Sequence, residues 1–361
     1  MNTPVTIVGG GPAGMALALA LHRRGIAAEI LDARARGAAK NDKRILALSH
    51  GARQILDWLG VWAAIPNTPI TEIHVSHQGG LGRTRITATD EGVPALGYVL
   101  AAGDLSASLD AALTRAGIRF RDLTRVESVP DAPLTVWAEG AADASAAIHD
   151  YDQHAVICTA TSSEFHAGRA WERFTPEGPV AALPWGADYA VVLTCAAADA
   201  KKVAALDDSL FLGLLQKRFG TRVHFTSASE RFVFPLGLRY RKSVIAPRQV
   251  WIGNAAQTLH PVAGQGFNLA LRDIFELART LADHTEHTGD PGAPEALAAY
   301  AATRKLDRNS TMGFTDTMVR LFSNDNPLLH HGRGAGLLAL DLFPPARHFL
   351  ARRLMYGARG W

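Results

Sequence analysis

The feature that most limits the fold of this chain is a glycine-rich turn near its start, between a strand pattern and a helix pattern. Val5–Val8 is a short β-branched run, and an Ala- and Leu-rich stretch after the turn continues to about Arg24. Gly9, Gly11 and Gly14 form a GxGxxG motif between them. Gly9 permits the tight turn, Gly11 lets a pyrophosphate approach the backbone, and Gly14 lets helix and strand pack closely. The pattern predicts a Rossmann-like α/β unit that binds the ADP half of a dinucleotide.

An acidic residue follows the next predicted strand. The apolar run Ala28–Leu31 predicts that strand, and Asp32 stands at its end, about 20 residues beyond the glycine motif. A carboxylate in this place accepts a hydrogen bond from a ribose hydroxyl, which favours a binding role over that of a solvated turn residue. FAD and NAD both carry this ribose, so these residues alone leave the choice between them open.

A second ligand-facing loop is predicted at residues 250–273. An apolar run at residues 250–252 suits a buried strand and breaks at Gly253, and apolar residues at helical spacing resume after Gly266. Backbone N–H groups and the positive end of the helix dipole would face a ligand there. An ordinary strand-to-helix connection is the weaker interpretation because the loop is rich in glycine and in hydrogen-bonding amides.

The composition excludes several classes of protein. Of the 361 residues 48% are hydrophobic and 20% charged, which indicates a folded chain, and a net charge of +3 gives no reason to expect nucleic acid as a partner. Cys158 and Cys195 lack the spacing of a metal site, so no metal is expected, and so few cysteines fit a reducing compartment. No signal peptide or membrane-spanning run is recognised, so a cytoplasmic location is expected.

The remaining pattern predicts further helices and strands. Residues 45–59 and 104–116 have helical apolar spacing, whereas residues 155–161, 180–183 and 190–194 resemble strands. Residues 337–361 mix apolar side chains with arginines. This last stretch suits a packed cap, a dimer helix or contact with a membrane surface, and packing or a partner is favoured because no amphipathic face is evident.

Several stretches together resemble a known family. Residues 253–273, GNAAQTLHPVAGQGFNLALRD, resemble the second FAD motif of flavin-dependent aromatic hydroxylases, which have the p-hydroxybenzoate-hydroxylase-like fold. The form Asn254-Ala255-Ala256-Gln257 is similar to the ubiquinone-biosynthesis branch, the 2-polyprenyl-6-methoxyphenol hydroxylases. The same branch is resembled at residues 73–76 (IHVS), 151–157 (YDQHAVI), 171–183 (WERFTPEGPVAAL) and 315–322 (TDTMVRLF).

The resemblance implies an α/β architecture in three parts. A Rossmann-like FAD-binding domain of the GR2 type is expected to interleave with an antiparallel-sheet domain that covers the substrate, followed by a helical C-terminal segment. The expected FAD-binding domain comprises residues 1–70, 99–150 and 236–285, the substrate-covering domain residues 71–98 and 151–235, and the C-terminal segment residues 286–361.

The resemblance also implies which residues hold FAD. Asn254 is expected beside the ribityl chain, Arg44 near the cofactor, and residues 264–268 under the isoalloxazine. The full expected set of cofactor-binding residues is Gly9, Gly11, Pro12, Ala13, Gly14, Asp32, Arg44, Asn254, Gly264, Gln265, Gly266, Phe267 and Asn268.

No catalytic side chain is identified from the sequence. Pro261 and His260 are candidates for lining the flavin face. His74, His260 and Tyr98 are candidates for a substrate base by residue type alone.

One segment departs from the family pattern. Relatives carry an Asp-Gly pair after a parallel strand, and it is linked to FAD and to the reducing nicotinamide. The counterpart here is Asp143-Ala144, and the residues before it show no clear apolar strand pattern. The departure predicts a missing strand and altered handling of NADPH.

The function implied by the resemblance is an FAD-dependent monooxygenase of ubiquinone biosynthesis. It would insert one atom of O2 into the ring of a hydrophobic prenylphenol, with NAD(P)H as reductant. The candidate partners are a quinone-biosynthesis complex, a homodimer and the surface of the inner membrane, and nucleic acid is not expected. The alternatives are a weakly active flavin-binding scaffold and a hydroxylase of a small soluble aromatic compound, which would need a polar pocket with an arginine clamp.

Overall fold

The computed structural model describes residues 4–80, 82–140, 146–260, 264–322 and 327–358. Strands and helices alternate at first, a long run of strands follows, and helices end the chain. The strands are β1 (Val5–Val8), β2 (Ala28–Leu31), β3 (Ile45–Ser49), β4 (Thr68–Ile70), β5 (Glu72–His77), β6 (Arg83–Thr87), β7 (Gly97–Ala101), β8 (Arg119–Arg121), β9 (Thr135–Trp137), β10 (Ala147–Ser162), β11 (Arg169–Thr175), β12 (Gly178–Trp185), β13 (Asp188–Ala196), β14 (Phe225–Ala228), β15 (Phe232–Tyr240), β16 (Ile245–Ala246), β17 (Gln249–Trp251) and β18 (Gln257–Thr258). The helices are α1 (Pro12–Arg23), α2 (His50–Trp58), α3 (Ala102–Arg115), α4 (Ala200–Ala204), α5 (Asp208–Phe219), α6 (Gln265–Thr288), α7 (Pro294–Phe322), α8 (Pro327–Leu342) and α9 (Pro344–Tyr356).

A mostly parallel sheet forms the first layer. Its strand order is β16-β17-β9-β1-β2-β8, and only β16 runs antiparallel to its neighbour. All four residues of β1 are buried, because α1 and α6 pack against the sheet. This explains why Val5–Val8 is apolar throughout rather than alternating, and it confirms the predicted Rossmann-like unit.

The strand expected to be missing is present. β9 pairs in parallel with both β1 and β17, so it lies in the middle of the sheet, and Thr135 and Val136 are 1% and 0% exposed. The prediction of a missing strand is therefore wrong: three residues are enough here because both neighbours supply hydrogen bonds. Asp143 and Ala144 lie outside the described residues.

A second, largely antiparallel sheet forms the next layer. Its order is β18-β15-β10-β13-β12-β11-β5-β6, with β14 beside β10 and with β11 and β5 parallel. One face packs against α5 through Phe211, Leu215 and Phe219. The other face, which carries the alternate residues of each strand, is turned toward the parallel sheet and the C-terminal helices.

A third, small sheet corrects the helix predicted for residues 45–59. Ile45–Ser49 forms β3, which pairs with β7, and only His50–Trp58 is helical. The Ser49 hydroxyl accepts the Ala52 N–H at 3.2 Å and so caps α2. The helix predicted for residues 104–116 is confirmed as α3.

The predicted helical C-terminal segment is confirmed by α7, α8 and α9. Helix α7 packs against α6, α8 against β5 and β6, and α9 against α2 and β3. In the parts of the chain that the structure describes, no helix combines the length and hydropathy needed to cross a bilayer. The predicted domain boundaries stay a prediction; β15 runs across the one at residues 235 and 236 and pairs with β10 along its length.

Candidate functional site

The N-terminal glycine turn forms a cradle at the start of α1. Gly9 has a φ of +114°, and a Cβ there would lie 2.7 Å from the carbonyl carbon of Ala138. A Cβ on Gly14 would lie 1.9 Å from the Gly9 oxygen, so both positions need glycine for packing. A Cβ on Gly11 would meet no atom within 4 Å. Gly11 therefore borders open space, as a backbone that admits a phosphate must, and Pro12 and Ala13 line the same space.

Asp32 is held at the edge of this cradle. Its side chain accepts the Gly10 N–H at 2.6 Å and the Arg34 N–H at 2.7 Å, and it pairs with the Arg34 guanidinium. Burial opposes ionisation, but these hydrogen bonds outweigh it and hold the pKa of Asp32 below its usual value. The carboxylate is thus ionised and oriented toward the site, as the predicted ribose contact requires.

Arg44 lies on the same cavity and is braced by a neighbour. Its guanidinium donates to both oxygens of Asp42, the shortest contact being 2.6 Å between Nη2 and Oδ2. The side chain of Arg44 is 49% exposed. A cation fixed in this way remains available to an anionic group in the cavity.

The second predicted loop meets the first. Gly253 has a φ of +57°, and a Cβ on it would lie 3.1 Å from the Ala13 Cβ, so the loop after β17 touches the first turn of α1. Asn254 follows and lines the cavity with an exposed side chain. The two loops therefore face one common space, although residues 13 and 254 are far apart in sequence.

The start of α6 supplies a second glycine cradle. Gly264 has a φ of +60°, and its Cβ would lie 3.1 Å from the Ala47 Cβ, whereas a Cβ on Gly266 would meet nothing within 4 Å. Gln265 and Phe267 line the cavity between and beyond these glycines. The backbone at a helix start again faces open space, as it does at Gly11.

Asn268 is committed to the protein rather than left free for a ligand. Its Nδ2 donates to the Ala47 and Gly264 oxygens at 3.1 and 2.7 Å, and its Oδ1 accepts the Ser49 N–H at 2.9 Å. The side chain is 2% exposed. Asn268 therefore fixes β3 against the start of α6, and its predicted direct contact with a cofactor stays a prediction.

A buried ionic network lies behind this helix. Arg304 donates to Asp273 at 2.6 Å and to Asp307 at 2.5 Å, and Arg272 donates to Asp307 at 2.7 Å. Gln257 donates to Asp273 at 2.8 Å. Burial opposes ionisation of Asp307, but the two arginines lower the pKa of its carboxyl to about 2. The network locks α6 to α7 and to the loop after β17.

Of the two candidates for lining a flavin face, the structure describes His260. His260 lines the cavity, is 1% exposed and lies edge-on to the Tyr151 ring, and burial lowers its pKa to about 4. It is therefore neutral at physiological pH. Pro261 lies outside the described residues.

The two glycine cradles and the side chains of Asp32, Arg44, Asn254 and His260 border one cavity of about 1670 Å³. The glycine cradles and the Asp32 and Arg44 side chains form one end. The other end lies between the antiparallel sheet and the last three helices, and it is largely apolar. Its helical lining comprises Phe314, Met318, Leu321, Leu337, Leu340, Phe349, Leu350, Leu354 and Met355.

Two ionisable side chains in this apolar region were not found from the sequence. Glu172 of β11 and Arg333 of α8 both line the cavity. The sequence did contain a signal for Glu172. It alternates with Ala170 and Phe174 along a strand, so a charged residue stands where an apolar one is expected on the inner face.

Two of the candidates for a substrate base lie elsewhere. His74 is on the outer face of β5, in a cleft lined by arginines, and the Tyr98 ring packs 4.9 Å from the Trp62 ring. Neither lines the large cavity in the part of the chain described.

Comparison with known proteins agrees with this arrangement. A family model described as "FAD binding domain" matches residues 2–149 and 145–314. Ubiquinone hydroxylase UbiL of Rhodospirillum rubrum is 31% identical over 97% of this chain and 89% of its own length. The 3-demethoxyubiquinol 3-hydroxylase of Escherichia coli is 27% identical over 94% of this chain and 95% of its own length.

Solved structures share the fold. PqsL of Pseudomonas aeruginosa, described as a probable FAD-dependent monooxygenase, superposes with a TM-score of 0.76 at 20% identity, covering 93% of this chain and 99% of PqsL. The p-nitrophenol 4-monooxygenase PnpA of Pseudomonas putida gives a TM-score of 0.77 at 15% identity, covering 99% of both chains. At such identities the likeness concerns the fold alone.

Proposed function

Since this chain belongs to the FAD-binding family of flavin-dependent monooxygenases, we propose that it hydroxylates the aromatic ring of a polyprenylated phenol in ubiquinone biosynthesis. FAD is its cofactor and monooxygenation is its reaction class. The observation that carries the choice of substrate is the apolar end of the cavity, which continues beyond the cofactor end between the antiparallel sheet and α7, α8 and α9. A polyprenyl chain needs such a volume because burying its methylene and methyl groups drives its binding.

The residues at the polar end fit FAD. Gly11 and Gly266 leave open space at two helix starts, where backbone N–H groups suit the pyrophosphate and the anionic form of the flavin ring. Asp32 and Asn254 would hold the two sugar-derived parts, and Arg44 a phosphate or ring edge. Bound FAD supplies the redox chemistry that activates O2, and NAD(P)H is the proposed reductant. The chain's own share is to orient both ligands and exclude water.

The first alternative, a hydroxylase of a small soluble aromatic acid, has less support. That substrate would need an arginine clamp beside the ring. Among the sheet residues that line the described cavity, none is an arginine, and Arg333 comes from the helical side. The second alternative, a flavin-binding scaffold, rests on the altered Asp143-Ala144 segment, which lies outside the described residues, so an activity measurement decides it.

We further propose that the protein docks on the surface of an anionic membrane through the corner between α8 and α9. Leu342, Phe343 and Phe349 are 73%, 60% and 71% exposed there, and Phe349 also lines the cavity. Arg347 lies beside them and borders a cleft in which arginines outnumber carboxylates, namely Arg83, Arg85, Arg169, Arg222 and Arg347 against Glu72, Asp90 and Asp341. Exposed apolar side chains next to cations suit a lipid surface, and a cavity mouth at that corner would admit a prenyl tail directly.

The hydroxylase proposal is tested with the purified protein loaded with FAD. NADPH, O2 and a short-chain polyprenylphenol are added, and flavin absorbance and product mass are followed. A product heavier by one oxygen atom, labelled from 18O2, is the expected result. Tight FAD binding without flavin reduction, even with candidate quinone-biosynthesis proteins added, would favour the scaffold alternative.

The docking proposal is tested by sedimentation with vesicles. The wild-type protein should bind phosphatidylglycerol-containing vesicles, and Phe343→Asp combined with Phe349→Asp should remove the binding. Phe165→Asp is the matched control because Phe165 is 70% exposed at a distant loop. Equal binding by all three proteins, or no binding by the wild type, contradicts the proposal.

A further inference from the structure

Strand β11 places one carboxyl group on the cavity wall. Ala170, Glu172 and Phe174 alternate along the inner face and line the cavity, Arg169 lines the outer cleft, and Trp171 borders both spaces. Glu172 is paired in register with Ala181 of β12 and with Val75 of β5, so small apolar side chains flank it on both strands. Among the sheet residues that line the described cavity, Glu172 is the single ionisable one.

The Glu172 carboxyl has no protein partner among the described residues. It takes part in no hydrogen bond or ion pair there, unlike Glu72, which pairs with Arg169 at 2.8 Å, or Glu177, which accepts the Thr175 hydroxyl at 3.0 Å. Its remaining exposed surface faces the cavity. A carboxyl group kept without a partner in an apolar enclosure lowers stability, so a contact with a ligand is the natural reason for it.

The charged groups around Glu172 are few. Helix α7 presents Phe314, Met318 and Leu321 to the cavity, none of which titrates. Arg333 of α8 and the neutral His260 line the same cavity. His77 stands two residues beyond Val75 on the same face of β5.

We propose that Glu172 accepts the phenolic proton of the substrate, an inference that rests on the proposed function. The substrate O–H bond breaks, an O–H bond forms on the Glu172 carboxylate, and the substrate becomes a phenolate. The phenolate oxygen donates electron density into the ring, which the monooxygenase reaction attacks with electrophilic oxygen. The ring carbon that has received the oxygen atom then releases its proton to solvent water and the ring becomes aromatic again. Glu172 returns its proton to the phenolic oxygen, which restores both the phenol and the carboxylate.

The acid strength of the group suits this role. Burial raises the pKa of Glu172 to about 7. A general base works best when its pKa lies near the working pH, because it is then both available and strong enough to take the proton. An ordinary surface glutamate would be too weak a base for a phenol.

A turnover-free experiment tests the proton transfer by itself. A prenylated nitrophenol is bound to the FAD-loaded, oxidised protein at pH 7, and its visible spectrum reports whether it is ionised. The wild type should show the phenolate band and Glu172→Gln the neutral-phenol band. Glu177→Gln, an exposed neighbour in the next turn, should match the wild type. Identical spectra for wild type and Glu172→Gln, or failure of the phenol to bind either, would overturn the proposal.

A turnover experiment tests its catalytic use. At pH 7.5 we expect Glu172→Gln to lower kcat about 100-fold with little change in KM. The wild-type kcat should rise with pH through about pH 7 as the base becomes ionised, and the variant should lack this rise. A polyfluorinated prenylphenol that is already ionised should be hydroxylated at similar rates by both proteins, which a merely structural role would not produce. Retention of the rise with pH and of the rate by Glu172→Gln would overturn the proposal. If the nitrophenol ionises only with Glu172 present and no phenol is hydroxylated, the proposed function fails and the proton transfer stands.

Discussion

The two ends of the cavity are built on different principles. At the polar end, backbone at two helix starts borders open space, since a Cβ on Gly11 or Gly266 would meet nothing within 4 Å, and the proposed FAD site depends on that space. At the apolar end, side chains from a sheet and three helices enclose a volume, and Phe314 or Leu340 contributes bulk rather than a specific bond. On the proposed function, we expect the polar end to be the more selective of the two and the apolar end to accept related substrates of different length.

The largest effect is expected at the polar end, from Gly11→Val. A Cβ at this position meets no protein atom within 4 Å, so the fold should survive, but the added side chain would fill the proposed place of the pyrophosphate. FAD affinity should fall about 10,000-fold or more, or by about 5.5 kcal/mol. Fluorescence titration with FAD measures this. Gly213→Val on α5, where a Cβ also meets nothing within 4 Å, is the matched control, and an equal loss in both variants would refute the cradle at Gly11.

The second effect is expected at the buried ionic network of Arg304, Asp273 and Asp307, and it changes the free energy of unfolding rather than ligand affinity. Arg304→Met removes the charged partner of buried Asp273, which keeps only Gln257, and one of the two arginine partners of Asp307. We expect a loss of about 3–5 kcal/mol in the free energy of unfolding. Denaturant unfolding of the apoprotein measures the loss. Arg279→Met, which breaks the exposed pair with Glu276, should cost about 1 kcal/mol or less. Similar losses in the two variants would mean that the network does not hold the ends together.

Glu172→Gln should stabilise the apoprotein at high pH. The pKa is raised from 4.5 to about 7 on folding, so between these values the folded state keeps a proton that the unfolded state has lost. The wild type therefore loses stability as pH rises through this range, and the variant does not. At pH 8 the variant should be more stable by about 1–3 kcal/mol, and the two should converge below about pH 4.5. A pH-independent difference in denaturant midpoints would contradict this explanation.

The smallest effect is expected at the apolar end, from Met318→Trp. The larger side chain shortens the volume available to a prenyl tail, so KM should rise about 10-fold for a long-chain phenol, or about 1.4 kcal/mol, and little for a short one. FAD affinity should not change. Leu306→Trp, at a position 60% exposed on the same helix, is the control. If both chain lengths are affected equally, the tail does not occupy this end.

The polar end was largely predictable from the sequence because local backbone rules determine it. The strand before Gly9, the turn and α1 could all be identified, and so could the helix that begins at Gln265. Residues 45–49 were assigned to a helix instead of a strand because the apolar spacing at Ile45, Leu46 and Leu48 fits either period over so short a run. β9 was missed because a central strand of three residues carries almost no pattern of its own.

The apolar end could not be predicted in the same way, because its members meet only through the tertiary fold. Glu172 lines the same cavity as residues of α7 and α8, and its place on the inner face depends on the register of β11 with β5 and β12. The commitment of Asn268 to Ala47 and Ser49 joins positions 219 or more residues apart, which no local rule could indicate.

The wall of the cavity reaches from Val8 to Met355, and Gln265 at the start of α6 donates to the Leu354 oxygen at 3.3 Å. A ribosome delivers the glycine turn at residues 9–14 first and α9 far later. The site therefore stays open on one side until residue 355 has emerged, and a polypeptide shortened before α9 would lack both that part of the wall and the Leu354 partner of Gln265.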